Sequence, residues 1–251
     1  MEANRENPLA PETPEAPPAK LPSFGTRLAA IFVEPKVVFD YLARRSDIWP
    51  PFIALAVMAI VAGVLALPAS IGGQALIASA VGRPAPEVNA AAYVKAAVSA
   101  PINIMVGILL IALVVWLVAL LTTGSAPFGR AMSVAAWSLF PATLGALLNG
   151  IVVAAVHPEV RSIHTFVADQ SPVLHYTSLG ALFTGTGPIL SMVLLTISVF
   201  YLWQLWLLFI AARRSFGVST VGAWTLLVVL LLLQVGFAAL GGWGISLLLK
   251  L

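Results

Sequence analysis

Residues 104–121 read IMVGILLIALVVWLVALL, eighteen positions without one charged or amide side chain. A helix that crosses the hydrocarbon core of a bilayer needs about 20 mostly apolar residues, because every backbone polar group has to be satisfied within the segment. The stretch is too long for a barrel strand and shows no apolar–polar alternation, so it reads as a transmembrane helix. Working outward, Asp, Glu, Lys and Arg are also absent from 131–158, 170–212 and 215–249, and 46–82 holds only Asp47. Five spans are expected, at about 50–68, 102–122, 131–156, 188–211 and 221–247. The expected fold is all-α, a polytopic bundle occupying 49–249.

Composition agrees. Only 9% of the 251 residues are charged, against about 25% in soluble domains. Mean hydropathy is +1.00. That excludes a soluble enzyme and a nucleic-acid partner, since neither a water-facing surface nor a phosphate-tracking groove can be built from so few charges. Cysteine is absent, which removes disulfides, thiolate metal sites and a Cys nucleophile.

The charges that remain are clustered. Seven of the ten acids precede Trp49, as do Arg5, Lys20, Arg27, Lys36, Arg44 and Arg45. Residues 1–22 are rich in Pro and Glu and are expected to be a disordered tail with no cleavable leader. From Ser23, Phe24, Leu28, Ile31 and Phe32 recur at helical spacing, and Pro35 interrupts them. Val38, Tyr41 and Leu42 follow as a second short face. Residues 23–48 are therefore expected to be a pair of amphipathic helices in the headgroup plane. Phe24, Leu28, Phe32, Arg44 and Arg45 then form either a simple anchor or a docking face for a partner or anionic lipid.

With five spans, nine of the thirteen Lys and Arg fall on the side of the N-terminus, including the span-abutting pairs Arg44–Arg45 and Arg213–Arg214. The positive-inside rule puts that side in the cytoplasm and the C-terminus outside. The expected partners are membrane lipids, other membrane or membrane-associated proteins, and a second copy of the chain.

None of the five spans carries an ionisable residue, which weighs against proton-coupled transport, intramembrane proteolysis and a charged ion path. No His lies in a span, so haem has no ligand there, and no cofactor is expected. The three histidines, His157, His164 and His175, share one loop at spacings that match no compact metal motif. They read as solvated side chains, and no metal site is expected. No standard catalytic signature occurs, and the chain reads as non-enzymatic.

The uncharged polar residues Asn149, Gln204 and Gln234 are either links between helices or contacts to a substrate in a cavity. Pro141 should interrupt the third span and free a carbonyl. Ala142, Ala146, Gly150 and Ala154 make a ridge of small residues for close helix packing, within the bundle or across a dimer.

Three blocks resemble bacterial Yip1-domain proteins. IFVEPKVVFDYLARRSDIWPPFIAL (31–55) resembles the family's opening, with Pro35, Phe39, Trp49 and Pro50 at its characteristic positions. GSAPFGRAMSVAAWSLFPATLGALL (124–148) resembles its second block, with Phe128 and Pro141. VFYLWQLWLLFIAARRSFGVSTVGAW (199–224) resembles its aromatic fourth helix and basic turn, with Trp203 and Gly217. The resemblance implies five membrane helices, a cytoplasmic N-terminus and a role in membrane organisation through helix, lipid and partner contacts. Eukaryotic relatives bind prenylated Rab-type GTPases; the composition here suits a GC-rich bacterium, and that partner is not carried over. Two other roles fit the same residues: an accessory subunit of a larger respiratory or photosynthetic complex, and a transporter or channel for a small neutral or lipidic substrate. In the last, Asn149, Gln204 and Gln234 would converge near Pro141.

Overall fold

The computed structural model describes residues 23–80, 82–156, 172–183 and 186–248. The tail 1–22, the loop with His157 and His164, and Lys250 lie outside the described residues.

The chain begins with two short helices, α1 (Phe24–Val33) and α2 (Pro35–Arg44). The Ser23 hydroxyl accepts from the Thr26 N–H at 3.2 Å and caps α1. Pro35 lacks an N–H and has its φ preset, so it ends α1 and opens α2 in one step. Ile31, Val38, Phe39 and Leu42 are fully buried. The apolar faces of the pair, which the sequence suggested would lie against headgroups, are instead seated on protein, chiefly α2 on the helix named α9 below.

Two long helices follow, α3 (Trp49–Ala80) and α4 (Ala90–Thr123). The sequence suggested spans ending at 68 and starting at 102. Both helices instead continue unbroken through Pro68 and Pro101. The flanking segments are Ala-rich, and alanine is the best helix former. At 1.5 Å per residue the two reach about 48 and 51 Å, well beyond a hydrocarbon core of about 30 Å. The Asn89 side chain caps α4 by accepting from the Ala92 N–H at 3.0 Å.

The third expected span is helical in two parts, α5 (Phe128–Ser138) and α6 (Phe140–Val156), interrupted at Leu139 just before Pro141. Gly150 of α6 lies against α3: a Cβ there would stand 2.7 Å from the Ala62 carbonyl oxygen. The small-residue ridge thus serves packing inside the chain at this point.

The fourth expected span needs correction. Residues 188–211 do not form one helix. α8 (Pro188–Thr196) and α9 (Val199–Phe216) are separated at Ile197–Ser198. The gap is held open by pairing with the segment after the short helix α7 (Pro172–Tyr176): the Leu179 N–H donates to the Ile197 carbonyl at 3.1 Å and the Val199 N–H to the Thr177 carbonyl at 2.9 Å. Ser198 then caps α9 through the Tyr201 N–H at 3.2 Å. The last helix is α10 (Thr220–Leu248).

Among the described residues, four segments are long and apolar enough to cross a membrane: Trp49–Ser79, Ala90–Thr123, Phe128–Val156 and Thr220–Gly244. Their outer faces expose Val57, Val61, Leu109, Leu113, Leu232 and Leu240. Apolar surface so extensive suits hydrocarbon rather than water. α9 is different, with Leu205, Leu207, Leu208, Ala211 and Ala212 buried, and it forms the centre of the bundle.

Candidate functional site

Two places along α9 gather polar side chains inside the bundle. At its C-terminal end lies the core that joins α1, α2 and α5, with Trp137, Phe39 and Phe140 the largest fully buried side chains. Phe24 packs on Trp137 with ring centroids 5.6 Å apart, and Phe32 packs edge-on to Trp203 at 5.4 Å. Phe24, Leu28 and Phe32 are thus half-buried against the bundle.

Inside this core sits a charged pair that the sequence reading passed over. Arg27 is buried and forms an ion pair with Asp47 at 2.5 Å. Its guanidinium lies 4.3 Å from the centre of the Tyr41 ring and 5.6 Å from that of Trp137. Arginine suits such a place, because its planar, weakly hydrated cation can lie on aromatic faces. The clue was present: Arg27 stands three residues after Phe24 and four before Ile31, on the apolar side of its helix, where a charge requires a partner. The neighbouring backbone is tied in by side chains. The Asp47 N–H donates to the Ser133 hydroxyl at 2.8 Å, and the Ser215 hydroxyl donates to the Phe39 carbonyl at 2.8 Å. Arg130 donates to the Ser215 carbonyl at 3.1 Å.

The residues of the family blocks fall mostly around this core. Pro35 and Phe39 are buried in α2, and Pro141 is buried in the first turn of α6. Trp49 opens α3, exposed, with Phe52 against its ring, and Pro50 follows it half-buried. Phe128 opens α5 beside Trp116. Gly217 ends α9 at φ +69°, a left-handed turn that favours glycine. Arg44, Arg45, Arg213 and Arg214 are exposed around the rim of the same end, where Arg214 approaches Asp40 at 3.7 Å.

The second place is a partly open cavity of about 590 Å³ bounded by α4, α6, α9 and α10. Its size lies within the range of about 300–1,000 Å³ typical of ligand pockets. Gln204 and Gln234 both line it, next to Leu139 and Ala142 on either side of Pro141. Asn149 does not; it is buried in α6, and its carbonyl oxygen accepts from the Val173 N–H at 3.1 Å, tying α6 to α7. Two of the three amides singled out in the sequence therefore meet. Among the described residues no three His, Asp or Glu side chains come together as metal ligands, and His175 stacks beside Tyr176.

Residues 29–242 match the Yip1 domain, which takes in α2 to α9 whole, half of α1 and most of α10. The membrane protein YknW of Bacillus subtilis (strain 168) is 24% identical over 219 residues, covering 86% of this chain and 89% of YknW. No solved structure matches. The extent of the domain match and the long apolar helices lead to one conclusion: the chain belongs to the Yip1 domain family, as a membrane protein of the bacterial type.

Proposed function

We propose that this protein organises the membrane around it without catalysis, holding lipids and partner proteins at the basic end of its bundle. The observation that carries the reading is the cationic rim. Arg44 and Arg45 at the end of α2, and Arg213 and Arg214 at the end of α9, are exposed around a core whose position is fixed by buried contacts. Long apolar helices hold this end at the surface of a bilayer, where each exposed Lys or Arg attracts anionic headgroups by about 1 kcal/mol. Val33 and Val37, both exposed beside Lys36, add apolar area on the same short helices. They supply a docking surface that the inward-facing Phe24, Leu28 and Phe32 do not.

In this reading α8 and α9 together make a broken fifth crossing, the chain spans the inner membrane five times, and the basic end faces the cytoplasm. Non-helical backbone at membrane depth is tolerated where protein or a cavity surrounds it, as at Ile197–Ser198. The absence of native cysteine makes topology directly testable. Lys36→Cys should be protected from an impermeant maleimide in spheroplasts, and Lys250→Cys should react. Protection of both would mean four crossings. For the recruitment reading, wild type and a variant with Arg44, Arg45, Arg213 and Arg214 all changed to Gln are purified in mild detergent. Anionic lipid or a defined partner should be retained by the wild type and depleted from the variant; equal retention would overturn it.

A further inference from the structure

We propose that the cavity between α4, α9 and α10 is a binding site for a neutral lipid carrying a hydroxyl or ester group, of the diacylglycerol kind. This goes beyond the rim-centred role above and does not depend on it. The polar side chains of the lining fall into two groups. Thr196, Ser198 and Tyr201 are engaged within the protein: Thr196 donates to the Val193 carbonyl at 2.7 Å, Ser198 accepts from the Tyr201 N–H, and the Tyr201 hydroxyl donates to the Leu230 carbonyl at 3.2 Å. Gln204 and Gln234 are not. Neither amide has a hydrogen-bond partner among the described residues, although Gln204 is only 4% exposed. Buried amides are hydrogen-bonded as a rule, and leaving one unsatisfied in an apolar surround costs free energy. Gln204 is buried and Gln234 half-buried, they come from two different helices and line the same cavity, and an occupant that both donates and accepts would satisfy both.

The rest of the lining sets the class of that occupant. Leu110, Val114, Leu208, Leu230, Leu233 and Phe237 make it overwhelmingly apolar, and none of its side chains is charged. A phospholipid headgroup would place a phosphate where no cation answers it. Water alone would satisfy the amides and leave the leucine wall wet. An acyl chain against the leucines, with a hydroxyl or ester carbonyl at the amides, satisfies both parts of the surface.

The test uses the full-length protein in phosphatidylcholine nanodiscs, with a diacylglycerol bearing a photoactivatable diazirine on one acyl chain. A phosphatidylglycerol with the same labelled chain is run in parallel. Cross-linked peptides should map to the lining of α4, α9 and α10 with the diacylglycerol. The phosphatidylglycerol should label only the outer faces. The Gln204→Leu/Gln234→Leu protein should lose cavity labelling by about tenfold or more, as the loss of two ordinary hydrogen bonds implies. Gly107→Leu provides a variant that leaves the amides in place. A Cβ at Gly107 meets nothing within 4 Å, and Gly107 lines the cavity, so a leucine there should take up cavity volume. It should abolish cavity labelling while the protein stays monodisperse with unchanged helicity. Labelling spread evenly over all lipid-facing helices, equal cavity labelling by the two lipids, or labelling indifferent to both variants would overturn the proposal.

Discussion

The two ends of α9 bury polar side chains in opposite ways. At the C-terminal end the Ser215 hydroxyl and the Arg27 cation are held by protein: Ser215 on the Phe39 carbonyl, and Arg27 on Asp47 and on two aromatic rings. Toward the N-terminal end, Gln204 and Gln234 line the same cavity, and neither has a hydrogen-bond partner among the described residues. A buried polar group whose partners are complete fixes a packing arrangement. One whose partners are missing leaves a place for something else. The same helix therefore serves as a structural post at one end and as the wall of a site at the other.

The largest effect that could break this contrast lies in the ion pair. Asp47→Ala strands the Arg27 cation in an apolar core, and removing one member of a buried pair costs about 3–5 kcal/mol. The variant should melt far below wild type in detergent micelles. Replacing both members, as Arg27→Met with Asp47→Leu, should restore most of the loss, because no charge is then left unpaired. A drop below about 1 kcal/mol for Asp47→Ala would mean that the pair is not buried in the membrane-bound protein.

Glycines test the same difference by volume. Gly150→Ala places a methyl group 2.7 Å from a backbone oxygen of α3, so the helices must separate. Overpacking of this kind costs about 1–3 kcal/mol. Gly107→Ala, on the cavity wall, meets no atom within 4 Å and should be neutral or stabilise by about 0.5–1 kcal/mol through the backbone entropy that glycine loses in a helix. Equal effects at the two positions in thermal melts would mean that the cavity is closed in the membrane.

Much of this architecture was legible in the sequence, for an identifiable reason. A membrane span needs a long run of apolar residues, and Ile104–Leu121 meets that need by itself. Helix ends were harder. The expected span limits at 68 and 102 were too narrow, because the Ala-rich segments beyond them stay helical through Pro68 and Pro101. The break at Ile197–Ser198 has no proline or glycine to announce it. It is held by backbone hydrogen bonds with Thr177 and Leu179, and no window of a dozen residues contains both sides of that pairing. The same holds for the site. The sequence marked Asn149, Gln204 and Gln234 as polar residues in apolar helices. Only the rotation of α9 and α10 about their axes decides that the two glutamines share a cavity while Asn149 serves α7.

The smallest effects are the most telling, because they differ in sign. Ser215→Ala removes one hydrogen bond to a buried carbonyl and should destabilise by about 0.5–1.5 kcal/mol. Gln204→Leu removes an amide with no partner among the described residues, so no hydrogen bond within that part of the chain is lost. In protein stripped of lipid by detergent exchange, the leucine should leave the melting temperature unchanged or raise it slightly, since an apolar side chain then replaces an unsatisfied polar one. Returned to bilayers containing diacylglycerol, the wild type should gain stability that the variant does not, because a ligand stabilises only the protein that binds it. If Gln204→Leu destabilised the stripped protein as much as Ser215→Ala does, the amide would have a partner inside the fold, and the two ends of α9 would be alike.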